Sequence, residues 1–170
     1  MEDAKFNWEE KYASVIDSNG HTVFFDRFLS ATQIDSLFII SPWITSLENE
    51  QITLNDIMNK IKNEQIKTTI ITRDPNKEQI NRVAVDLFRK EELITLYFNN
   101  ELHAKVYICR CSPFGFALVS SANLSGNATR AYEVGVFIEG KGYGRELIEK
   151  LQLLGTDDIP NRSGTFVINN

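Results

Sequence analysis

Two short segments constrain what this chain can fold into more than anything else in it. Residues 36–40 (Ser-Leu-Phe-Ile-Ile) form an apolar run ended by Ser41-Pro42, and residues 66–71 (Ile-Lys-Thr-Thr-Ile-Ile) form a β-branched one. An apolar run with no polar alternation is a strand buried on both faces, and the residue before a proline leaves the helical region, which closes the element. Strands of that kind need helices to cover them. The chain supplies these at helical spacing: Phe24, Phe25, Phe28 and Leu29 after the Ser18-Asn19-Gly20 breaker, with a start near His21 or Thr22; Leu54, Ile57, Met58 and Ile61; and Ile80, Val83, Ala84, Leu87 and Phe88 after Asp74-Pro75-Asn76.

Residues 94–98 return as strand. Strand, helix, strand, helix, strand implies right-handed crossovers and a parallel core. Residues 103–109, 116–120 and 133–138 then read as strands joined without long helices, so the sheet becomes mixed. A last helix over about 143–154 buries Leu147, Ile148 and Leu151, and the tail, 155–170, holds a short apolar run at 166–168 that adds an edge strand or a partner contact. The expected fold class is α/β: a mixed, largely parallel sheet flanked by helices on both faces. The 170 residues, 42% apolar, make one domain with its core over about 21–154.

No apolar run approaches the roughly 18–20 residues that cross a bilayer, and the first ten residues are acidic, so a cytoplasmic location is expected. Cys109 and Cys111 are separated by one residue, which suits small strand hydrophobes better than a disulfide. With His21 and His103 the only histidines, a structural zinc site lacks well-spaced ligands, and no metal or cofactor is expected. The net charge of −5 excludes a protein whose whole surface grips nucleic acid through counterion release. Residues 60–90, with eight basic against four acidic side chains, offer a local positive balance.

Three pieces carry chemistry. In His103-Ala104-Lys105-Val106-Tyr107-Ile108, read as a strand, His103 and Lys105 share one face about 6.5 to 7 Å apart, with Ala104, Val106 and Ile108 turned to the core. Ser120-Ser121-Ala122-Asn123 directly follows the apolar run 116–119. Glu133 stands at the mouth of the strand Val134-Gly135-Val136. Each alone is unremarkable turn or strand-edge chemistry.

In this order, the three pieces resemble the catalytic core of the phospholipase D-like superfamily: His-x-Lys, a strand, Gly-Ser-x-Asn, then a Glu ahead of a Gly-Val-type strand. The resemblance spans residues 37–138 and includes the strand end Phe38-Ile39-Ile40-Ser41-Pro42-Trp43. It implies a phosphodiesterase without a metal, a nuclease acting on DNA in preference to RNA. His103 would be the nucleophile forming a covalent phosphohistidine, Lys105, Asn123 and Ser121 would hold phosphate oxygens, and Glu133 would orient the imidazole. The mechanism asks for two histidines and the chain has one motif, so a twofold homodimer is expected to supply the second His103. A chain this acidic would rely on a partner protein, as in a restriction or defence assembly, to bring substrate.

The pattern also departs from the superfamily. Arg110 stands where an Asp usually follows the Lys by five residues, the stretch from there to Ser120 is three residues longer, Ser120 replaces the Gly, and Ala131 replaces an Asn. A degenerate phosphate-binding or scaffolding subunit and a phospholipase are the alternative readings. Trp43 and Arg73, just past two buried strands, are candidates to stack a base and meet a phosphate, with Ser120 and Arg130 as further substrate contacts. Core packing of Trp43 and an Arg73–Asp74 ion pair compete with that reading.

Overall fold

The computed structural model describes residues 12–17, 20–47, 51–126 and 132–168. Their strands form one sheet: β1 (Ala13–Asp17), β2 (Ile34–Ile40), β3 (Lys67–Thr72), β4 (Ile94–Asn99), β5 (Val106–Cys111), β6 (Phe116–Ser120), β7 (Val134–Glu139) and β8 (Thr165–Ile168), in the spatial order β1-β7-β6-β5-β2-β3-β4-β8. The helices are α1 (Gly20–Ser30), α2 (Leu54–Asn63), α3 (Arg82–Phe88) and α4 (Tyr143–Leu153).

Alternation along the central strands explains the double burial of the apolar runs. Leu37 and Ile39 point to one face with Ile70, Leu96 and Tyr107, where α1, α2 and α3 cover them. Phe38 and Ile40 point to the other with Ile71, Val106 and Ile108, where Ile148 and Leu151 of α4 pack. Helices therefore flank both faces, as expected. Under α1 the core is aromatic: the Phe24 ring lies 5.2 Å from Phe116 and 5.7 Å from Tyr107. A reciprocal capping box, Thr53 with Asp56, starts α2.

The expectation of a largely parallel sheet is overturned. Among the described residues β2–β3 and β3–β4 pair in parallel, whereas β1–β7, β7–β6, β6–β5, β5–β2 and β4–β8 are antiparallel. Parallel neighbours need a helical crossover; α2 and α3 supply two, and the links 100–105 and 112–115 are too short to carry another. Smaller details follow at the helices and the sheet edges. Ile80 and Val83 are exposed because residues 79–81 form a 3₁₀ turn that buries Asn81 instead. Leu147 is half exposed at the rim of α4. The apolar run in the tail is an edge strand, β8, on β4, and β1 adds a strand at the opposite edge that the sequence reading had not assigned.

Candidate functional site

One end of five adjacent strands collects the predicted residues. β2 and β3 run toward it and release Ser41, Trp43 and Arg73; β6 releases Ser120 to Asn123; β5 and β7 start from it, just after Lys105 and Glu133. Registers align these ends: Ile40 faces Val106, Val106 faces Val119, and Ser120 faces Gly135.

His103 and Lys105 lie ahead of β5 and not within it, which corrects their assignment to a strand. The backbone is nonetheless tied to the sheet, since Ser120 N–H donates to the Lys105 carbonyl at 3.0 Å. Freed from the pleat, Lys105 folds back: its Nζ lies 3.0 Å from His103 Nδ1 and donates to the His103 carbonyl at 2.9 Å. His103 is exposed, whereas Lys105 is only 8% exposed. Burial holds the Lys105 ammonium below the ordinary lysine range, with the Glu133 carboxylate opposing and Arg73 reinforcing that shift. A protonated Nζ facing Nδ1 makes Nδ1 the acceptor and leaves the imidazole proton on Nε2.

Within one chain the Glu133 carboxylate bonds Ser121, while His103 Nδ1 faces Lys105. The Ser121 hydroxyl donates to Glu133 Oε2 and accepts from Val134 N–H at 3.0 Å, while Ser121 N–H donates to the Val134 carbonyl. Ser121 therefore clamps Glu133 at the mouth of β7. Ser120 plays a turn role, its hydroxyl accepting from Ala122 N–H at 3.0 Å. The buried Asn123 Oδ1 has no hydrogen-bond partner among the described residues, an arrangement that costs about 1–3 kcal/mol unless a donor arrives.

Trp43 and Arg73 meet: the guanidinium sits 5.3 Å from the Trp43 ring centroid. Arg73 Nε donates to the Leu102 carbonyl at 3.0 Å, directly before His103, and its ion-pair partner is Glu78 at 3.1 Å, not Asp74. Arg130 lies outside the described residues. Arg110 sits near the far end of β5 beside Asp35 and Arg145, remote from His103, so the change from the usual Asp leaves the contacts above untouched.

The residue the sequence reading missed is Asn81. Its fully buried amide accepts from Ile44 N–H (2.8 Å) and donates to the Pro42 carbonyl (2.9 Å), the Thr72 hydroxyl (3.1 Å) and the Arg73 carbonyl (3.0 Å). It thereby pins the ends of β2 and β3 that carry Trp43 and Arg73. Ser41 adds a second rivet, accepting from Leu124 N–H and donating to the Trp43 carbonyl. The only signal available was an asparagine at a helix entry.

Comparison with solved structures identifies the fold. The chain matches Nuc from Salmonella typhimurium, described as a phospholipase D family member, with a TM-score of 0.64 and 16% identity over 93% of this chain and 99% of that one. NucT from Helicobacter pylori matches with a TM-score of 0.60 and 17% identity over 86% and 94%. Phosphatidylserine synthase from Haemophilus influenzae matches with 0.63 and 17% over 93% of this chain and 40% of the synthase. No family model and no curated protein matches the sequence. The chain has the phospholipase D-like fold.

Proposed function

We propose that this chain is a metal-independent phosphodiesterase, an endonuclease that cleaves DNA through a covalent intermediate on His103. The observation that carries the reading is the buried Lys105 ammonium held 3.0 Å from the His103 imidazole, at the strand ends that also present Ser121, Asn123 and Glu133. A cation kept out of water is a strong anchor for a phosphate oxygen. On binding, the phosphate draws Nζ from Nδ1, and the imidazole proton can move to Nδ1. The Nε2 lone pair then attacks phosphorus, the P–N bond forms, the P–O bond to the leaving alkoxide breaks, and that alkoxide takes a proton from a second histidine. Water next attacks phosphorus, the P–N bond breaks, and the proton from water returns to the second imidazole. No step calls on a metal ion.

The second histidine is the reason to propose a dimer, and one apolar row of the sheet supports it. Ile40, Val106, Val119, Val136 and Val15 form a single cross-strand row on one face, the last row before the site. Exposure rises along it from 0% and 4% to 36%, 41% and 75%. A contiguous exposed apolar row on a sheet face is an interaction surface, and next to half an active site the occupant that completes the chemistry is a second copy of the chain.

Purified protein is expected to cleave a DNA oligonucleotide in EDTA, and His103→Ala to abolish cleavage while sedimentation still shows a dimer. Activity that requires Mg²⁺ or survives the substitution refutes the mechanism. Because the same cluster would suit a phospholipid diester and one structural neighbour is a phosphatidylserine synthase, labelled phosphatidylcholine belongs in the same assay.

A further inference from the structure

A cavity of about 300 Å³ opens beside His103, and it is built in part by the C-terminal segment, which no motif marks. Leu102 and Ala104 on either side of the histidine form one wall. Leu154 and Ile159, from the π-helical turn Leu154–Asp158 and the residue after it, form the other. All four belong to the apolar cluster under α4. Two charges stand at the rim, Glu101 and Arg162; Arg162 is exposed and has no ion pair among the described residues.

The walls are held in place. Asn99, nearly fully buried, donates to the Thr165 hydroxyl at 2.7 Å and accepts from Glu101 N–H at 2.9 Å, and the Thr165 hydroxyl donates to the Ile159 carbonyl at 2.7 Å. One asparagine thus ties both rims to the end of β4. Gly155 lets the turn lie on the sheet: a Cβ there would sit 2.8 Å from the Phe38 ring, closer than side chains tolerate. The pocket is preformed, which spares a ligand the cost of ordering it.

We infer that this cavity is the subsite for the nucleoside next to the scissile phosphate, with Arg162 closing over the base. The inference rests on the phosphodiesterase reading of His103. Its volume is at the lower end of ligand pockets, about 300–1,000 Å³, enough for one nucleoside and not for a chain of them. Apolar walls suit the faces of a base and a sugar. The Glu101 carboxylate repels a second phosphate, so the charged part of the substrate stays on the Lys105 side and the neutral part enters the pocket. Arg162 and Glu101 present a donor and an acceptor to a base edge, and a guanidinium also stacks on its face.

The test compares two phosphodiesters attacked at the same kind of phosphorus: a single-stranded oligonucleotide and methyl 4-nitrophenyl phosphate, which has no nucleoside and releases 4-nitrophenolate. Arg162→Ala is expected to lower kcat/KM for the oligonucleotide by about tenfold and to leave the small ester unchanged; Ala104→Leu, which fills the cavity, adds a second measurement. Equal loss on both esters with Arg162→Ala, or no loss on either, overturns the subsite. If wild-type protein hydrolyses neither ester, the phosphodiesterase reading fails, and the cavity is judged by titrating thymidine 5′-monophosphate against inorganic phosphate with amide chemical shifts as readout. Tighter binding of the nucleotide, weakened by Arg162→Ala and with shifts at Ala104, Leu154 and Ile159, supports the pocket. Equal binding of the two ligands, or none, overturns it.

Discussion

Asn81→Leu is the substitution that most directly tests how the site is held. Leucine has the same number of side-chain heavy atoms and leaves no void, so no cavity term enters, and what is lost is the amide's four hydrogen-bond contacts. Not all are lost equally. The Pro42 carbonyl keeps a donor, the Thr72 hydroxyl at 3.1 Å, and that hydroxyl keeps Pro42 as its acceptor. The Arg73 carbonyl is only partly buried and can turn to water. Ile44 N–H is buried and has no other partner among the described residues, so it carries the full penalty of an orphaned donor, about 1–3 kcal/mol. With about 1 kcal/mol for the bonds that are weakened instead of orphaned, the expected loss is about 3 kcal/mol. In urea, at an m-value of about 2 kcal/mol per molar, that moves the midpoint down by about 1.5 M with m unchanged. The cleavage rate is expected to fall as well, because Arg73 loses its backbone anchor beside His103. A loss below about 1 kcal/mol at constant m would refute the rivet.

Other consequences concern charge and assembly. Because burial holds Lys105 below the ordinary lysine range, it loses its proton as pH rises earlier than a free lysine would, so kcat/KM should fall on an alkaline limb that sets in before the ordinary lysine range; Lys105→Arg, which stays charged, should remove that limb from the pH profile whatever its effect on the maximum. The Arg27 hydrogen bond and charge, with help from Lys141, hold the Glu139 carboxyl low against the opposing effect of burial. Its contribution, under about 1 kcal/mol for so open a pair, is present above the unfolded carboxylate pKa and lost as pH falls through the folded one. The urea stabilities of wild type and Glu139→Gln should therefore differ near pH 7 and converge as pH falls through the lowered Glu139 pKa. Val136→Asp, in the exposed row, should convert the proposed dimer to monomer by sedimentation without unfolding the chain, and a dimer that persists would place the interface elsewhere.

The sequence by itself determined the central strands, the helices that cover them and the order of the chemical pieces, because these depend on local periodicity: the apolar run 36–40 and the spacing of Phe24, Phe25 and Phe28 can be buried in only one way. It also singled out His103, Lys105, Ser121, Asn123 and Glu133 together, through a pattern of spacings rather than through any single residue, and the fold brings them to one end of the sheet. Only the tertiary structure decided how those residues face one another. Whether β5 begins at residue 103 or 106 depends on its hydrogen bonds to β2 and β6, and that difference turns His103 and Lys105 from neighbours on a pleat into a folded-back contact. Strand direction beyond β4, the diversion of Glu133 to Ser121, the burial of Asn81 and the joining of residues 154–162 to the histidine are all long-range pairings. Each is settled by which distant backbone group satisfies a buried donor or acceptor, and no local pattern in the chain records that choice.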